Sequence, residues 1–164
     1  LYLAAYQSHL WNRIAAAWLE KSYQQMRAPW GQLEIAETFL PFHIEMDAAT
    51  LELLRPESLP LLTHHSTYRP EELGLIAEHL LAQEGLTQAD LKARILERAY
   101  LARGQRPLLL WPQELKVDAP QPDERFPSQQ ALRVRFALPS GSYATLVCKV
   151  ALARVSHITQ EENR

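Results

Sequence analysis

The first 28 residues contain neither proline nor glycine, and their apolar side chains recur every three or four positions. These apolar positions are Leu3, Tyr6, Leu10, Ile14, Ala17 and Trp18. Such spacing is typical of an amphipathic α-helix that places one face in a core. Pro29 and Gly31 are the first residues that break a helix. The sequence therefore opens with a predicted helix, whose apolar face the rest of the fold has to cover.

Composition narrows the class of protein. The 164 residues suffice for one domain, or for one domain and part of another. Apolar residues make up 47% and charged residues 22% of the chain, as in globular proteins. The net charge of −2 disfavours a dedicated nucleic-acid-binding domain but is compatible with a local basic patch.

Cysteine content and hydropathy bear on the compartment. A single cysteine, Cys148, excludes a disulfide scaffold and a cysteine zinc site, and it fits a reducing compartment such as the cytoplasm. The sequence has no uncharged apolar run of about eighteen residues and no recognisable signal peptide. We therefore expect a cytoplasmic protein with no membrane partner.

The segment from Trp30 to Arg69 is acidic and interrupted by prolines. Its pattern predicts one or two short strands between Leu33 and Met46, and a short helix near Ala48–Leu54. Because an acidic segment repels phosphate groups, we expect a solvated outer surface here.

Helix signals return at Pro70, which suits a helix start, and Gly85 suits a helix end. The apolar stripe between them consists of Leu73, Ile76, Leu80 and Leu81. Thr87 and Asp90 then resemble a capping box that opens a second helix to about Ala99. The pattern predicts a helical hairpin.

The remaining residues mainly favour strands. The apolar run 107–111 predicts a strand covered on both faces, and the proline-rich segment 112–130 predicts a loop. Apolar residues alternate with arginines over 132–138, which predicts a half-buried strand. A turn at 139–142 precedes residues 144–150, which fit a helix but leave a strand possible. Helices and strands together predict a mixed α+β fold.

The histidines, the glycines and Ser142 complete none of the metal-binding or catalytic motifs considered below. His64 and His65 are adjacent, so we expect their side chains to diverge as a solvated or capping pair. No further ligand lies three or four residues away, and we expect no metal. The five glycines are too widely spaced for a phosphate-binding loop, and Ser142 lacks the second glycine of a nucleophile elbow.

Basic charge is uneven along the chain. Residues 92–106 hold five basic residues against one acid, and residues 133–154 hold four against none. Such clusters favour polyanions and make binding salt-dependent. The same residues also fit a set of solvated side chains.

Three separated segments carry a recognisable pattern in a fixed order. Residues 3–12 read LAAYQSHLWN, residues 103–109 read RGQRPLL and residues 136–145 read FALPSGSYAT. They resemble the AYQSxLWN helix, the RGxxRPLL return stretch (one residue shorter here) and the FxLPxGSYAT segment of the tRNA pseudouridine synthase D (TruD) family. The similarity spans nearly the whole chain.

The resemblance implies a pseudouridine synthase core sheet with helices, interrupted by a TruD-type insertion domain. Residues 1–30 would form a core helix, 31–103 the insertion domain and 104–164 the return to the core. The implied reaction isomerises a specific uridine in tRNA to pseudouridine, after the uridine leaves its stack. An aspartate would act without a cofactor, and tRNA would be the partner.

One departure concerns catalysis. The family's catalytic aspartate lies in a Lys-Asp motif before the AYQS helix, and its pocket-lining Asn-x-Phe and Gln-Arg-Phe-Gly segment is also absent here. The aspartates of this chain are Asp47, Asp90, Asp118 and Asp123, none of which follows a lysine. We therefore expect the N-terminal catalytic half to lie upstream as a missing partner, and the isolated chain to be inactive.

The resemblance also implies residue roles. A pocket wall would consist of Leu138, Gly141, Ser142 and Tyr143. Supporting groups behind the pocket would be Gln7, Ser8 and Asn12. Lys149 stands where many members have arginine and would pair with the catalytic aspartate more loosely, because an ammonium lacks the planar fork. Arg103 and Arg106, in a connector, would contact tRNA phosphates.

Other interpretations remain open. The turn 139–142 also fits a purely structural strand-to-helix connection. The whole chain could be a non-catalytic RNA-binding or scaffold module of the same fold, or a structural domain without RNA contacts. A test of salt-dependent tRNA binding separates the last from the others.

Overall fold

The first helix, α1 (Tyr2–Tyr23), belongs to the first of two compact units, Leu1–Leu109 (unit 1) and Leu110–Arg164 (unit 2). The structure is a computed structural model, and it describes residues 2–23, 30–35, 38–43, 46–92 and 101–162. The helix predicted from the first apolar pattern is confirmed. The expected domain boundaries near 31 and 103 differ from the division between the units, and they stay a prediction.

A β-hairpin follows α1. Strand β1 (Trp30–Ile35) pairs antiparallel with β2 (Thr38–His43), which confirms the short strands expected here. Gly31 lies opposite Phe42 in this register, and a Cβ at Gly31 would overlap the Phe42 ring. Glycine therefore lets the buried ring lie across the neighbouring strand.

Helix α2 (Ala48–Leu54) has the predicted bounds. The carboxylate of Asp47 accepts hydrogen bonds from the backbone N–H of Thr50 (2.9 Å) and from its hydroxyl (2.7 Å). These bonds satisfy a donor that a helix start leaves unpaired, and they hold the pKa of Asp47 below its usual value. After α2, strand β3 (Ser58–Pro60) pairs antiparallel with the distant β4 (Gln105–Pro107).

Helix α3 (Glu71–Gln83) begins after Pro70 and ends before Gly85, whose φ of +70° suits glycine. The side chain of Asp90 then accepts bonds from the backbone N–H of Thr87 (2.8 Å) and from its hydroxyl (2.6 Å). The capping interaction is confirmed, but it opens a 3-10 helix (Gln88–Lys92) rather than an α-helix. The expected extension to Ala99 lies outside the described residues.

The core of unit 1 forms where α1 packs on α3 and contacts β2 and β3. Its largest fully buried members include Leu10 and Ile14 from α1, and Leu73 and Leu81 from α3. Tyr6 and Trp18 are only partly buried against this core. The predicted apolar faces of both helices are therefore confirmed at their centres.

Unit 2 contains two strand pairs and a helix. Strand β5 (Gln113–Val117) pairs antiparallel with β8 (Val134–Ala137), and β6 (Gln121–Pro122) pairs with β7 (Gln130–Ala131). Helix α4 (Ala144–Glu162) follows a turn at Pro139–Ser142, closed by a 3.2 Å bond from Ser142 N–H to the Pro139 carbonyl. The turn is confirmed, and the open choice after it resolves to a helix.

Three expectations are wrong in this part of the chain. The strand expected at 107–111 ends at Pro107, because the chain leaves its pairing with β3 after Leu108 N–H bonds to the Glu57 carbonyl at 3.0 Å. The segment expected to be a loop contains β5, which pairs with β8 at Gln113, Lys116 and Val117, with a register shift between the first two. The strand at 134–137 is present but not half-buried, since Val134 is 40% exposed.

The architecture as a whole is mixed α+β, as predicted: helices α1 to α4 with small antiparallel sheets. Within the described residues, none of the helices combines the length and apolar character needed to cross a bilayer.

Candidate functional site

The polar side of α1 carries a buried amide that joins distant parts of unit 1. The side-chain N–H of Gln7 donates to the carbonyls of Leu62 (3.0 Å) and Ala102 (2.7 Å), and its oxygen accepts from Ala102 N–H at 3.2 Å. Gln7 is 3% exposed. A buried amide with three well-formed bonds is costly to remove, because its backbone partners would lose theirs. Gln7 therefore holds the backbone of Leu62 and of Ala102 against α1.

One turn further along α1, Trp11 contacts both Leu59 and Arg106. Its indole N–H donates to the Leu59 carbonyl at 3.2 Å, and the guanidinium carbon of Arg106 lies 5.1 Å from the centre of a Trp11 ring. The second contact has the geometry of a cation–π interaction. Arg106 also donates to the Ser8 hydroxyl across a long 3.4 Å contact. The AYQSxLWN helix thus holds the RGQRPLL segment in place.

A second link joins α1 to the end of α3. Arg13 donates to Glu84 at 2.6 Å and to the side-chain oxygen of Gln83 at 2.7 Å, while the Tyr6 hydroxyl donates to the same Glu84 carboxylate. Partial burial and the neighbouring carboxylate raise the pKa of Tyr6 to about 12, since both disfavour a phenolate. This cluster fixes the angle between the two helices.

The two arginines expected to contact RNA have different surroundings. Arg103 is exposed and precedes Gly104, whose φ is +152° and whose carbonyl accepts from Leu61 N–H at 2.9 Å. Arg106 is half-buried against Trp11 and Ser8. Their roles toward RNA stay a prediction, but only Arg103 has a side chain displayed to solvent.

The predicted supporting residues lie in unit 1 with these arginines. Gln7 and Ser8 contact the return segment directly, whereas Asn12 is half-buried one turn further along. Their expected role behind a pocket wall stays a prediction. Gln7 and Ser8 hold the return segment against α1.

The predicted pocket-wall residues follow one another in a strand–turn–helix segment. Leu138 follows β8, and Gly141 and Ser142 belong to the turn. Tyr143 precedes α4 and accepts a bond at its carbonyl from Leu146 N–H at 3.1 Å. Gly141 has φ of +83°, so the turn itself requires glycine there. No atom lies within 4 Å of where a Cβ would stand, so the backbone at Gly141 is open to approach. Both the pocket and the purely structural interpretation fit this turn.

Lys149 lies further along α4 and is exposed. Its separation in sequence from Tyr143 is under two helical turns, so it belongs to the same end of α4 as the turn. The carboxylate partner expected from the resemblance stays a prediction.

The four aspartates all have local structural roles. Asp47 and Asp90 cap helical segments, and each cap holds the carboxyl pKa below its usual value because hydrogen bonds favour the charged form. Asp118 pairs with Arg135 at 2.7 Å. Asp123 accepts bonds from the backbone N–H of Arg125 (2.7 Å) and Phe126 (3.0 Å). Each carboxylate is therefore engaged in shaping its own turn or strand pair.

The histidine pair differs from its expectation. His64 and His65 do not diverge, since their ring centres lie 3.8 Å apart with a 40° angle between the planes. The tight turn that contains them brings the two rings to one side. Across the described residues, no group of three or more histidine, cysteine or acidic side chains is arranged to hold a metal ion.

Sequence reasoning missed three contributors to this region. Trp11 lies inside the quoted AYQSxLWN segment but received no role, and the periodicity of α1 could have placed it beside Gln7 and Ser8. Thr63 and Gln88 organise the histidine turn through bonds to backbone groups. Thr63 bonds to residues two and three positions later, whereas the partners of Gln88 lie 22 and 25 positions earlier and become its neighbours only in the fold.

Comparison with known proteins identifies the family of the chain. The family model described as tRNA pseudouridine synthase D (TruD) matches residues 1–150. The chain belongs to the TruD family. The family resemblance read from the three sequence segments is thereby confirmed.

Several curated relatives agree with this assignment. The chain is 30% identical to a probable tRNA pseudouridine synthase D 2 of Methanocaldococcus jannaschii, over 94% of this chain and 36% of the relative. It is 28% identical to the tRNA pseudouridine synthase D of Aquifex aeolicus, over 91% of this chain and 36% of the relative. It is 30% identical to that of Syntrophotalea carbinolica, over 90% and 35%. The chain thus spans about a third of the length of these relatives.

Proposed function

We propose that this chain is part of an enzyme that isomerises a specific uridine in tRNA to pseudouridine. The observation that carries the proposal is the junction in which Gln7, Ser8 and Trp11 of α1 bind the return segment around Ala102 and Arg106. Two segments that identify the family are thereby held in contact by their own characteristic side chains. The names of the relatives support the reaction and the substrate class.

The catalytic acid of this enzyme would come from outside the chain. Each of the four aspartates has a local partner that its removal would leave unsatisfied, as in the pair of Asp118 with Arg135. A general acid or nucleophile needs an oxygen free to meet the substrate. The isolated chain is therefore expected to form no pseudouridine.

The rest of the catalytic domain would be the first partner of unit 2. On the β5–β8 pair, Leu115 and Val117 are 57% and 58% exposed, and Val134 is 40% exposed. Adjacent apolar side chains on a strand pair gain stability when another layer covers them. The relatives have about two thirds of their length beyond the matched segment, which is enough to supply that layer.

The second partner would be tRNA, and the protein would act in the cytoplasm. Arg103 is exposed beside Gly104 in a connector, where a side chain can reach a phosphate without distorting regular structure. In the bound state, the Gly141 turn and Tyr143 would line the space for the flipped uridine, with Lys149 pairing with the catalytic carboxylate.

A chimera tests the proposal directly. The matched segment of the Aquifex aeolicus relative is replaced by this chain, and pseudouridine in an unmodified tRNA transcript is counted by chemical mapping. We expect pseudouridine from the chimera and none from the isolated chain. Replacing Tyr143 by Ala in the chimera should reduce the rate, while Gln113→Ala on an exposed strand position serves as the matched control.

Two results would overturn the proposal. A chimera that melts cooperatively and binds tRNA but forms no pseudouridine favours the non-catalytic RNA-binding module. Pseudouridine formed by the highly purified isolated chain would mean that the acid lies within it. Melting curves of the chimera separate lost activity from lost folding.

The RNA contact of Arg103 has its own test in the isolated chain. Arg103→Ala should reduce the magnitude of the slope of log affinity against log salt by about 1, because one phosphate contact is lost. The melting temperature should not change, since the side chain is exposed. An unchanged slope with lower stability would make Arg103 structural.

A further inference from the structure

The strand pair β5–β8 contains an irregularity that decides which of its residues share a face. Its register pairs Gln113 with Ala137 and then Lys116 with Arg135, so three steps along β5 correspond to two along β8. Glu114 lies in this irregular stretch and has φ of +52°, a backbone conformation that favours glycine. The pair therefore contains a β-bulge, which changes the face on which the following residues of β5 lie.

The bulge separates basic from apolar side chains. A regular ladder, continued from the pair before the bulge, would place Leu115 opposite Arg135. It would place Lys116 opposite Val134. With the bulge, Lys116 is opposite Arg135 and Val117 is opposite Val134. Because a shift of one residue moves a strand's side chains to the other face, the bulge brings the lysine to the face of the arginine and the two valines together.

The basic face of the pair consists of Lys116, Arg133 and Arg135. Lys116 and Arg135 are directly opposite each other, and Arg133 lies two residues before Arg135, which places it on the same face. The pairing extends to Arg133, whose carbonyl accepts a bond from Asp118 N–H at 3.0 Å. All three basic residues are exposed.

Carboxylates near the pair leave the basic face with an excess of positive charge. Asp118 shares this face, since its carboxylate accepts a bond from the Arg135 guanidinium at 2.7 Å. Asp123 and Glu124 lie in the connection between β6 and β7, and Glu114 lies in the bulge. The register thus places one carboxylate beside three basic side chains on this face.

This arrangement of charge has a cost in the free protein. Like charges directly opposite each other on a strand pair lower its stability, and Lys116 and Arg135 are such a pair. Asp118 offsets the charge of Arg135 only. A polyanion laid along the face would relieve the repulsion, because its phosphates supply the missing negative charge. The charge of the face is therefore complementary to a nucleic-acid backbone.

We propose that the basic face binds the sugar–phosphate backbone of the RNA substrate. The inference rests on the proposed function, because the ligand is the RNA on which that function acts. Guanidinium and ammonium groups bind phosphate oxygens through charge-assisted hydrogen bonds. The opposite face, with Val117 and Val134, is the one that the rest of the catalytic domain would cover, so the two faces of one strand pair contact different partners. The basic face positions RNA and takes no part in chemistry.

Binding of the whole chain to an unmodified tRNA transcript tests the basic face, using fluorescence anisotropy at several salt concentrations. Lys116→Ala/Arg133→Ala should bind about five- to tenfold more weakly at ~0.1 M salt, and the magnitude of its salt slope should fall by about 1–2, because two phosphate contacts are lost. The matched control is Lys92→Ala/Arg125→Ala, which removes one lysine and one arginine from exposed positions elsewhere. The control should retain an affinity within about twofold of the parent.

A second pair of variants tests the same face through a gain of binding. Asp118→Asn removes the carboxylate from the face and weakens its hold on Arg135. This variant should bind tRNA about two- to threefold more tightly, with a steeper salt slope. Glu124→Gln removes the same charge from the exposed connection between β6 and β7 and should have a smaller effect. Because the expected change is tighter binding, a loss of folding cannot imitate it.

The outcomes separate this inference from the proposed function. Salt-dependent tRNA binding by the parent, with equal affinities for Lys116→Ala/Arg133→Ala and its control, overturns the basic face alone. Equal gains for Asp118→Asn and Glu124→Gln also overturn it, since total charge would then explain the binding. A parent chain without salt-dependent tRNA binding overturns the RNA-directed function and the basic face with it.

Discussion

The two compact units of the chain use similar apolar patterns but bury them to different extents. In unit 1, Leu10 and Ile14 of α1 are each 1% exposed. In unit 2, Leu115 and Val117 of β5 are more than half exposed, and none of the side chains that the structure describes there is buried. An isolated two-stranded pair gains little stability in water. The difference teaches that an apolar sequence pattern identifies the face of a helix or strand that has to be buried. The pattern does not identify the polypeptide segment that buries it.

The largest contrast should come from truncating one leucine in each unit. Leu10→Ala should lower the free energy of unfolding by ~2–5 kcal/mol, because it removes buried methyl groups and leaves a cavity. Leu115→Ala, on the exposed strand, should change it by less than about 0.5 kcal/mol. Urea denaturation of the two variants measures both values. Equal losses would mean that unit 2 has a packed core of its own.

Gln7 in unit 1 and Gln113 in unit 2 give a second contrast between a buried and an exposed side chain, here a polar one. Gln7→Leu should lower the free energy of unfolding by ~2–3 kcal/mol, since it removes the side-chain donor to the Ala102 carbonyl and to the carbonyl of the buried Leu62. Gln113→Leu, at an exposed position, is the matched control. The amide hydrogen of Ala102 should also exchange faster in Gln7→Leu, as NMR can follow. A stable Gln7→Leu variant would argue that water replaces the amide.

Arg106 in unit 1 and Arg135 in unit 2 extend the comparison of the two units to smaller changes in stability. Arg106→Ala should cost about 1–2 kcal/mol, because the guanidinium packs on Trp11 and reaches Ser8. Arg135→Ala removes only a surface pair with Asp118, so we expect less than about 1 kcal/mol. Thermal melts of both variants give the values. A larger loss of stability for Arg135→Ala than for Arg106→Ala would mean that side-chain contacts stabilise unit 2 more than unit 1.

The smallest effect concerns alkaline pH. Tyr6 has its pKa raised from 10.0 to about 12 in the fold, so the unfolded chain loses the proton first as the pH rises. The contribution of Tyr6 is therefore complete below pH 10 and decreases between pH 10 and about 12. Tyr6→Phe should flatten this decrease in melting temperature. Tyr143→Phe in unit 2 controls for removing a tyrosine hydroxyl, and identical pH profiles for Tyr6→Phe and the parent would contradict the Tyr6–Glu84 interaction.

Local signals predicted local structure well. The bounds of α2, the end of α3 at Gly85 and the turn 139–142 all depend on neighbouring residues, so a single sequence was enough to predict them. The resemblance correctly identified the family, but the roles of its pocket residues remain predictions. Sequence thus gave the family and the elements more readily than the site.

The failures share a physical cause. Strand β4 ends at Pro107 because its partner is β3, about 45 residues earlier, and nothing near Pro107 encodes that register. Strand β5 was hidden among prolines, since pairing with β8 sets its conformation. The close, tilted contact of the His64 and His65 rings likewise depends on a turn held by Gln7, Gln88 and Gly104. Each missed feature arises from contacts between distant segments.

The bonds of Gln7 to Leu62 and Ala102 have a consequence for how this family can vary. Residues 62 and 102, the two ends of the intervening segment, both bond to the Gln7 side chain. The length of that segment can therefore change while α1, β3 and β4 keep their positions. Extending such a closed loop costs little, since each doubling of its length adds only about 0.6 kcal/mol of closure entropy. The exposed turn at Gly85 offers a place for added residues that leaves the packed face of α3 intact. Extra domains can be grafted there while the helix and its return strand keep their positions.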